Sequence, residues 1–121
     1  VIKGADKKDL KDFGSDFRSM VDRALSGRIS PEDLSGGTFT ITNLGNFDVD
    51  AFTPVINLPE VAILGIGRIV DKVVPFQGEV AIRKLVTLSL VFDHRIIDGA
   101  PAARFMQKVK ETLEYPIMIF V

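Results

Sequence analysis

Apolar residues recur at helical spacing in two stretches of this chain. The first runs roughly from Lys7 to Ser26, with apolar side chains at steps of three and four residues and charged side chains between them. This pattern predicts an amphipathic helix, and Gly27 is well placed to end it. The second stretch predicts a helix from Pro101 to about Glu114, ended by Tyr115-Pro116. We expect this second helix to bury four side chains: Ala102, Met106, Val109 and Leu113.

Between the two helices the pattern changes to that of β-strands. Alternating β-branched residues predict a strand over Thr38–Thr42, and a longer apolar run predicts a buried strand over Val61–Val70. Two glycines in the longer run indicate a bulge or close packing. A hairpin with arms 73–76 and 79–82 then leads into the apolar strand Leu85–Phe92. We predict a mixed α/β fold with four or five strands and two main helices.

Two further segments contain residues that favour turns and loops. Ser30-Pro31 predicts a short capped turn, with the proline at a first helical position. Asn43 opens a loop that continues through Pro59. After the second helix, Ile117–Val121 is wholly apolar, which predicts a buried contact in an assembly or an edge strand within the chain.

Composition excludes several classes of function. The net charge is -1 with both signs mixed, so we expect no nucleic-acid partner. No apolar run reaches membrane-spanning length, so we expect no membrane partner. The chain has no cysteine and one histidine, which argues against any metal site. Its 121 residues correspond to one domain or a piece of a larger one, and without a visible secretory signal we expect an intracellular setting.

The single histidine, His94, follows the apolar strand that ends at Phe92. Imidazole titrates near neutral pH, so a histidine on the edge of a cleft can act as a general base. A structural role is the alternative, because histidines at strand ends often bond to a backbone carbonyl. Asp98 likewise has two interpretations: a functional partner of His94, or an N-cap for the following helix.

The pattern His94-x-x-x-Asp98-Gly99 resembles the signature of the chloramphenicol acetyltransferase-like, coenzyme A-dependent acyltransferases. The surrounding segments narrow the resemblance to the dihydrolipoamide acyltransferase component of 2-oxoacid dehydrogenase complexes, in its catalytic domain. They follow that family's order and spacing along essentially the whole chain: Gly36–Gly45, Phe52–Asn57, Pro59–Gly65 and Leu88–Arg95. The implied fold is a two-layer sandwich of mixed sheet and helices, present here as a partial domain.

The resemblance also implies roles for individual residues. His94 matches the family's catalytic base, and Thr42 matches a hydroxyl position that stabilises the tetrahedral intermediate. Asp98 matches the motif aspartate, which supports the histidine loop. Arg95 and Gly99 match structural positions of the motif. The implied reaction moves an acyl group between dihydrolipoamide and coenzyme A, a substrate here, by direct thioester exchange.

Assembly is implied as well. Residues 1–121 match the C-terminal part of the catalytic domain, without the lipoyl and peripheral subunit-binding domains, so the lipoyl group would be carried on a separate domain. Such domains form homotrimers within a larger core, with His94 of one subunit facing Thr42 of the next. Decarboxylase and dihydrolipoamide dehydrogenase components are the implied partners, in the cytoplasm or, alternatively, the mitochondrial matrix.

Two other hypotheses are left open by the sequence. One is a chloramphenicol-type acetyltransferase on a similar fold. The other is a non-catalytic assembly fragment, because half of a domain exposes apolar surface and is a poor candidate for a stable monomer.

Overall fold

The computed structural model describes residues 1–120, without the side chain of Met118. The chain divides into two compact units, Val1–Thr38 and a second unit that begins at Phe39. The first unit contains one long helix and two short 3₁₀ turns, Ala5–Lys7 and Pro31–Leu34. The second contains the sheet, the second long helix and every residue of the candidate site.

Helix α1 spans Leu10–Leu25 and confirms the first predicted helix. It begins three residues later than predicted because the Asp9 carboxylate accepts a hydrogen bond from the backbone of Asp12 and caps the helix. Gly27 has a φ of +68°, the left-handed conformation expected just after a helix end. The capped turn at Ser30 is confirmed too, since Ser30 and Asp33 form a reciprocal capping box.

The sheet of the second unit has three strands in the described residues. They are β1 (Thr40–Asn43), β2 (Ala62–Phe76) and β3 (Glu79–Phe92), in the order β1-β2-β3. Strand β1 is parallel to β2, and β3 is antiparallel to β2. The prediction of four or five strands was wrong, because each arm of the predicted hairpin is continuous with the long apolar strand beside it.

The glycines of β2 confirm both predicted alternatives, a bulge and close packing. The pairing of β2 with β3 shifts register between Ile66 and Ile69, which is the expected irregularity around Gly67. A Cβ on Gly67 would clash with the backbone carbonyl oxygen of Asp50, so no larger residue fits there. Gly65 packs against the ring of Phe52, which a Cβ would approach to 3.0 Å. The first half of β2 is therefore buried beneath the loop between β1 and β2.

Helix α2 spans Gly99–Glu114, close to the prediction. Ala102 is buried and Met106 and Val109 are half-buried, but the predicted burial of Leu113 was wrong, because 60% of its surface is exposed. Leu113 lines an open groove between the last turns of α2 and the strand β3. Within residues 39–120 no element covers that groove.

Other large apolar side chains are also exposed, as expected of a partial domain. They include Phe17 and Leu25 on α1, and Val80 and Ile82 on the outer part of the hairpin. The apolar tail forms a 3₁₀ turn over Pro116–Phe120, so the predicted edge strand is wrong for these residues, and Val121 lies outside the described residues. Ile117 and Phe120 are exposed, and their predicted role as an assembly contact stays a prediction.

Candidate active site

His94 lies in a tight turn between β3 and α2. The backbone N–H of Asp93 donates to the carbonyl of Val61 at 2.9 Å, which extends the β2–β3 pairing by one residue. The Asp93 carbonyl then accepts hydrogen bonds from Ile96 and Ile97, both at 3.0 Å. Helix α2 begins directly after Asp98. The backbone of His94 is thus held between the half-buried end of β3 and a helix.

An ion pair inside this turn braces it. The Arg95 guanidinium donates to both carboxylate oxygens of Asp93, with Nη2 at 2.7 Å from Oδ2 and Nε at 3.0 Å from Oδ1. The Arg95 backbone N–H also donates to Oδ1, at 2.9 Å. These bonds to Arg95 lower the pKa of Asp93 to about 2, so the carboxylate is charged at neutral pH. This role of Asp93 was not predicted from the sequence, although an Asp-x-Arg pair at the end of a strand could have indicated it.

The side chains of His94 and Asp98 face each other at the surface. His94 Nδ1 lies 4.0 Å from Asp98 Oδ1, and the two side chains are 72% and 86% exposed. This distance is longer than a hydrogen bond, so in this structure the carboxylate is a neighbouring charge. The ring of Phe92 lies beside the imidazole, with ring centroids 5.6 Å apart.

Asp98 caps α2 through its backbone alone. Its carbonyl accepts from the N–H of Ala102 at 3.3 Å, while its side chain makes no capping hydrogen bond. The capping interpretation of the Asp98 carboxylate is therefore not what the structure shows, and the carboxylate is left beside the imidazole.

Thr42 lies on β1, on the same face as Thr40. Both threonines are half-buried, whereas Ile41 and Asn43 between and after them are exposed. This alternation is that of a strand with one covered face. Thr42 pairs with Gly65 of β2, a position with no side chain of its own.

Thr42 is not brought to His94 within one chain. Thr42 aligns with Gly65, and Gly65 with Ser89, which is three residues before the end of β3. Phe92 therefore lies three residues along the strand direction and two strands across the sheet from Thr42. These offsets separate the α-carbons of Thr42 and Phe92 by about 14 Å. Beyond Phe92 the chain continues away from Thr42, since Asp93 pairs with Val61. The structure therefore brings together two of the three predicted site residues.

The described residues also bear on metal binding and on membrane insertion. In residues 1–120, no group of three or more His, Asp or Glu side chains is placed to bind a metal ion. None of the helices described here combines the length and the apolar character needed to span a membrane.

Solved structures define the class of protein. The fold matches that of Azotobacter vinelandii dihydrolipoamide acetyltransferase with a TM-score of 0.92 and 36% sequence identity, over 100% of this chain and 50% of that one. Crystallographic and enzymatic work on that protein concerns the roles of a serine, a histidine and an asparagine in catalysis. A second match, with a TM-score of 0.88 and 35% identity, is the cubic core of the pyruvate dehydrogenase multienzyme complex, over 96% of this chain and 48% of that one.

The sequence then identifies the family. The family model described as 2-oxoacid dehydrogenases acyltransferase (catalytic domain) matches residues 1–121. The chain belongs to this family. A Bacillus subtilis relative, the dihydrolipoyllysine-residue acetyltransferase component of the pyruvate dehydrogenase complex, is 41% identical over 121 residues. This chain covers 27% of that relative and about half of each solved structure named above.

Proposed function

We propose that this chain is part of an acyltransferase that exchanges an acyl group between dihydrolipoamide and coenzyme A in a 2-oxoacid dehydrogenase complex. One observation carries the proposal. In the Azotobacter protein the named serine stands 52 positions before the histidine, and the asparagine four positions after it. Thr42 and Asp98 have the same spacings from His94. The residue types are matched in chemistry: a hydroxyl, an imidazole and a short polar side chain.

The geometry of the turn suits His94 as a general base. The imidazole is exposed to an incoming substrate, while the Asp93–Arg95 pair and the start of α2 restrain its backbone. The neutral ring takes the proton of the attacking thiol, and the resulting thiolate attacks the thioester carbonyl. Asp98 Oδ1 lies 4.0 Å from Nδ1 of this ring. The leaving thiolate then recovers the proton from the ring.

Thr42 is the proposed donor to the tetrahedral intermediate. The carbonyl oxygen becomes negatively charged when the thiolate adds, and a hydroxyl aimed at that oxygen stabilises the charge. When the intermediate collapses, the carbon–sulfur bond to the leaving thiol breaks and the new thioester remains. Both thiols belong to the substrates, so the exchange needs no cysteine and forms no acyl-enzyme.

The separation of Thr42 from His94 supports a site shared between subunits. About 14 Å between Thr42 and the end of β3 is too far for one carbonyl carbon to be served by both side chains of a single chain. A cyclic homotrimer, in which His94 of one subunit meets Thr42 of the next, resolves this separation. The match to a cubic multienzyme core supports a still larger assembly.

The remaining elements of the proposal come from the family. Residues 1–121 would form the C-terminal part of the catalytic domain, with the lipoyl group delivered by a separate domain. Decarboxylase and dihydrolipoamide dehydrogenase components would be its partners. The bacterial relative supports a cytoplasmic location. The matches give no support to the chloramphenicol-type alternative, since the family model covers the whole chain.

Mixed assemblies test the proposal. The native protein is co-expressed as two differently tagged variants, His94→Ala and Thr42→Val, and assemblies carrying both tags are assayed for acyl transfer from acyl-coenzyme A to dihydrolipoamide. Chloramphenicol serves as the control acceptor. Each variant alone is expected to be nearly inactive. Mixed trimers should recover about a third of wild-type activity, because in a cyclic trimer that contains both variants one of the three interfaces combines an intact His94 with an intact Thr42.

The other outcomes are equally informative. Mixed assemblies no more active than the average of the two variants would contradict a shared site. Full activity of both variants alone would contradict the assigned residues. No transfer by the unsubstituted protein would favour a non-catalytic assembly role. Transfer to chloramphenicol would favour the alternative acceptor.

A further inference from the structure

Glu60 is a buried carboxyl group that the proposed mechanism does not use. Only 8% of its surface is exposed, and it is the only charged residue that is buried among the described residues. Burial of a carboxyl group is costly unless hydrogen bonds compensate it. Here the Thr40 hydroxyl donates to Glu60 Oε2 at 2.6 Å. Separately, the backbone N–H of Glu60 donates to the carbonyl of Asn57 at 2.9 Å.

The bond from Thr40 to Glu60 anchors the beginning of β1. Strand β1 has four residues and pairs on one side, with β2, so few contacts define its register. A shift of one residue would move every side chain of a strand to the opposite face of the sheet. Thr40 and Thr42 share a face, so the contact that orients the first threonine also determines where the second one points.

Glu60 also stands next to the contact that begins the His94 turn. Val61 follows it in the chain, and the Val61 carbonyl accepts from the N–H of Asp93 at 2.9 Å. One short segment therefore contacts both β1 and the turn. The side-chain contact reaches only β1, which separates the two effects in an experiment.

We infer that Glu60 is a positioning residue for the acyl transfer: by accepting the hydrogen bond of Thr40, it holds β1 in the register that presents the Thr42 hydroxyl to the substrate. The inference rests on the proposed role of Thr42. Glu60 itself is too buried to contact the substrate, so it acts through the strand.

A set of matched substitutions in the native, assembled protein tests this role. Glu60→Ala and Thr40→Val each remove the contact, and each should lower kcat by about tenfold, less than the 10²–10³ expected for loss of an oxyanion donor. The KM for coenzyme A should not change. Glu60→Gln keeps an oxygen that can accept from Thr40, so it should retain wild-type kcat. Thr87→Val, at an exposed position of β3, is the control for the threonine substitution.

The decisive measurement is a double-mutant cycle with Thr42→Val. If Glu60 acts through Thr42, then Glu60→Ala should lower kcat no further once the Thr42 hydroxyl is gone. A full additional tenfold loss would contradict the inference and assign the effect to general stability or to the His94 turn. An unchanged kcat for Glu60→Ala would contradict it as well. If Thr42→Val has wild-type activity, the proposed role of Thr42 fails first, and that result is distinct from the others.

Discussion

The turn that carries His94 and the strand that carries Thr42 are held in place by contacts of different range. The turn is braced within a few residues, by Asp93 and Arg95 and by the backbone bonds to the Asp93 carbonyl. The strand is held by residues far away in the chain, through its pairing with β2 and the Thr40–Glu60 bond across 20 positions. One half of the candidate site is local, and the other half depends on the packed sheet.

This difference has a consequence for how each half responds to change. A locally braced turn keeps its shape as long as its own side chains are intact. A short edge strand depends on every contact that fixes its register, including contacts made by residues that never approach the substrate. Substitutions in the turn should therefore affect chemistry directly, and substitutions around β1 should affect it through position.

The largest effect is expected for His94→Ala. Loss of a general base typically costs 10²–10⁴ in rate, and kcat for acyl transfer should fall by about that factor with the assembly intact. Asp98→Asn, in the same turn, should lower kcat much less, because the Azotobacter protein carries an asparagine at the same spacing. Steady-state kinetics of the native protein measure both. A His94→Ala variant with wild-type kcat would leave the imidazole a structural role only.

Thr42→Val should have the next largest effect, a loss of about 10²–10³ in kcat, as is typical when one oxyanion donor is removed. Thr42→Ser keeps the hydroxyl and should retain most of the activity. The same assay compares the two variants at saturating coenzyme A and dihydrolipoamide. Equal losses for valine and serine would show that the shape of the side chain matters at this position and its hydroxyl does not.

The smallest effect is expected when the pH is lowered and the ion pair between Asp93 and Arg95 in the His94 turn is lost. The pKa of Asp93 falls from 3.8 to about 2 on folding, so its ion pair contributes stability above about pH 4, which is lost as the pH falls toward 2. Hydrogen-exchange protection of the Ile96 and Ile97 amides should decline across this interval. In Asp93→Asn the protection at neutral pH should be lower, and this decline should be absent. A wild-type protection factor that is constant from pH 5 to 2 would argue against the brace.

Several features could be predicted because they depend on neighbouring residues. Helix α1 follows from its apolar spacing and from the stop at Gly27, and the hairpin follows from the turn at Gln77-Gly78. The distance of four residues between His94 and Asp98 put both in one turn, and the structure brings their side chains to 4.0 Å. Each of these patterns involves only residues that lie close together in the sequence.

Other features could not be predicted from local patterns. The number of strands was wrong because periodicity does not show where one strand ends and its continuation begins. Leu113 was predicted to be buried because apolar spacing identifies a face of a helix but not whether another element covers it. The Thr40–Glu60 bond had no signal in the sequence, since either residue is ordinary for its position when taken alone.

The identity of the chemical groups, a hydroxyl, an imidazole and a carboxylate at family-like spacings, could thus be read from the chain alone, because motif spacing and periodicity are properties of neighbouring residues. Their arrangement in space required the folded sheet. Pairing register places Thr42 about 14 Å from the end of β3, and this distance depends on which strands lie side by side. The folded chain also brings Glu60 within hydrogen-bond distance of Thr40. That lateral order is a property of the packed chain, and it is the reason for proposing that the site is completed by a neighbouring subunit.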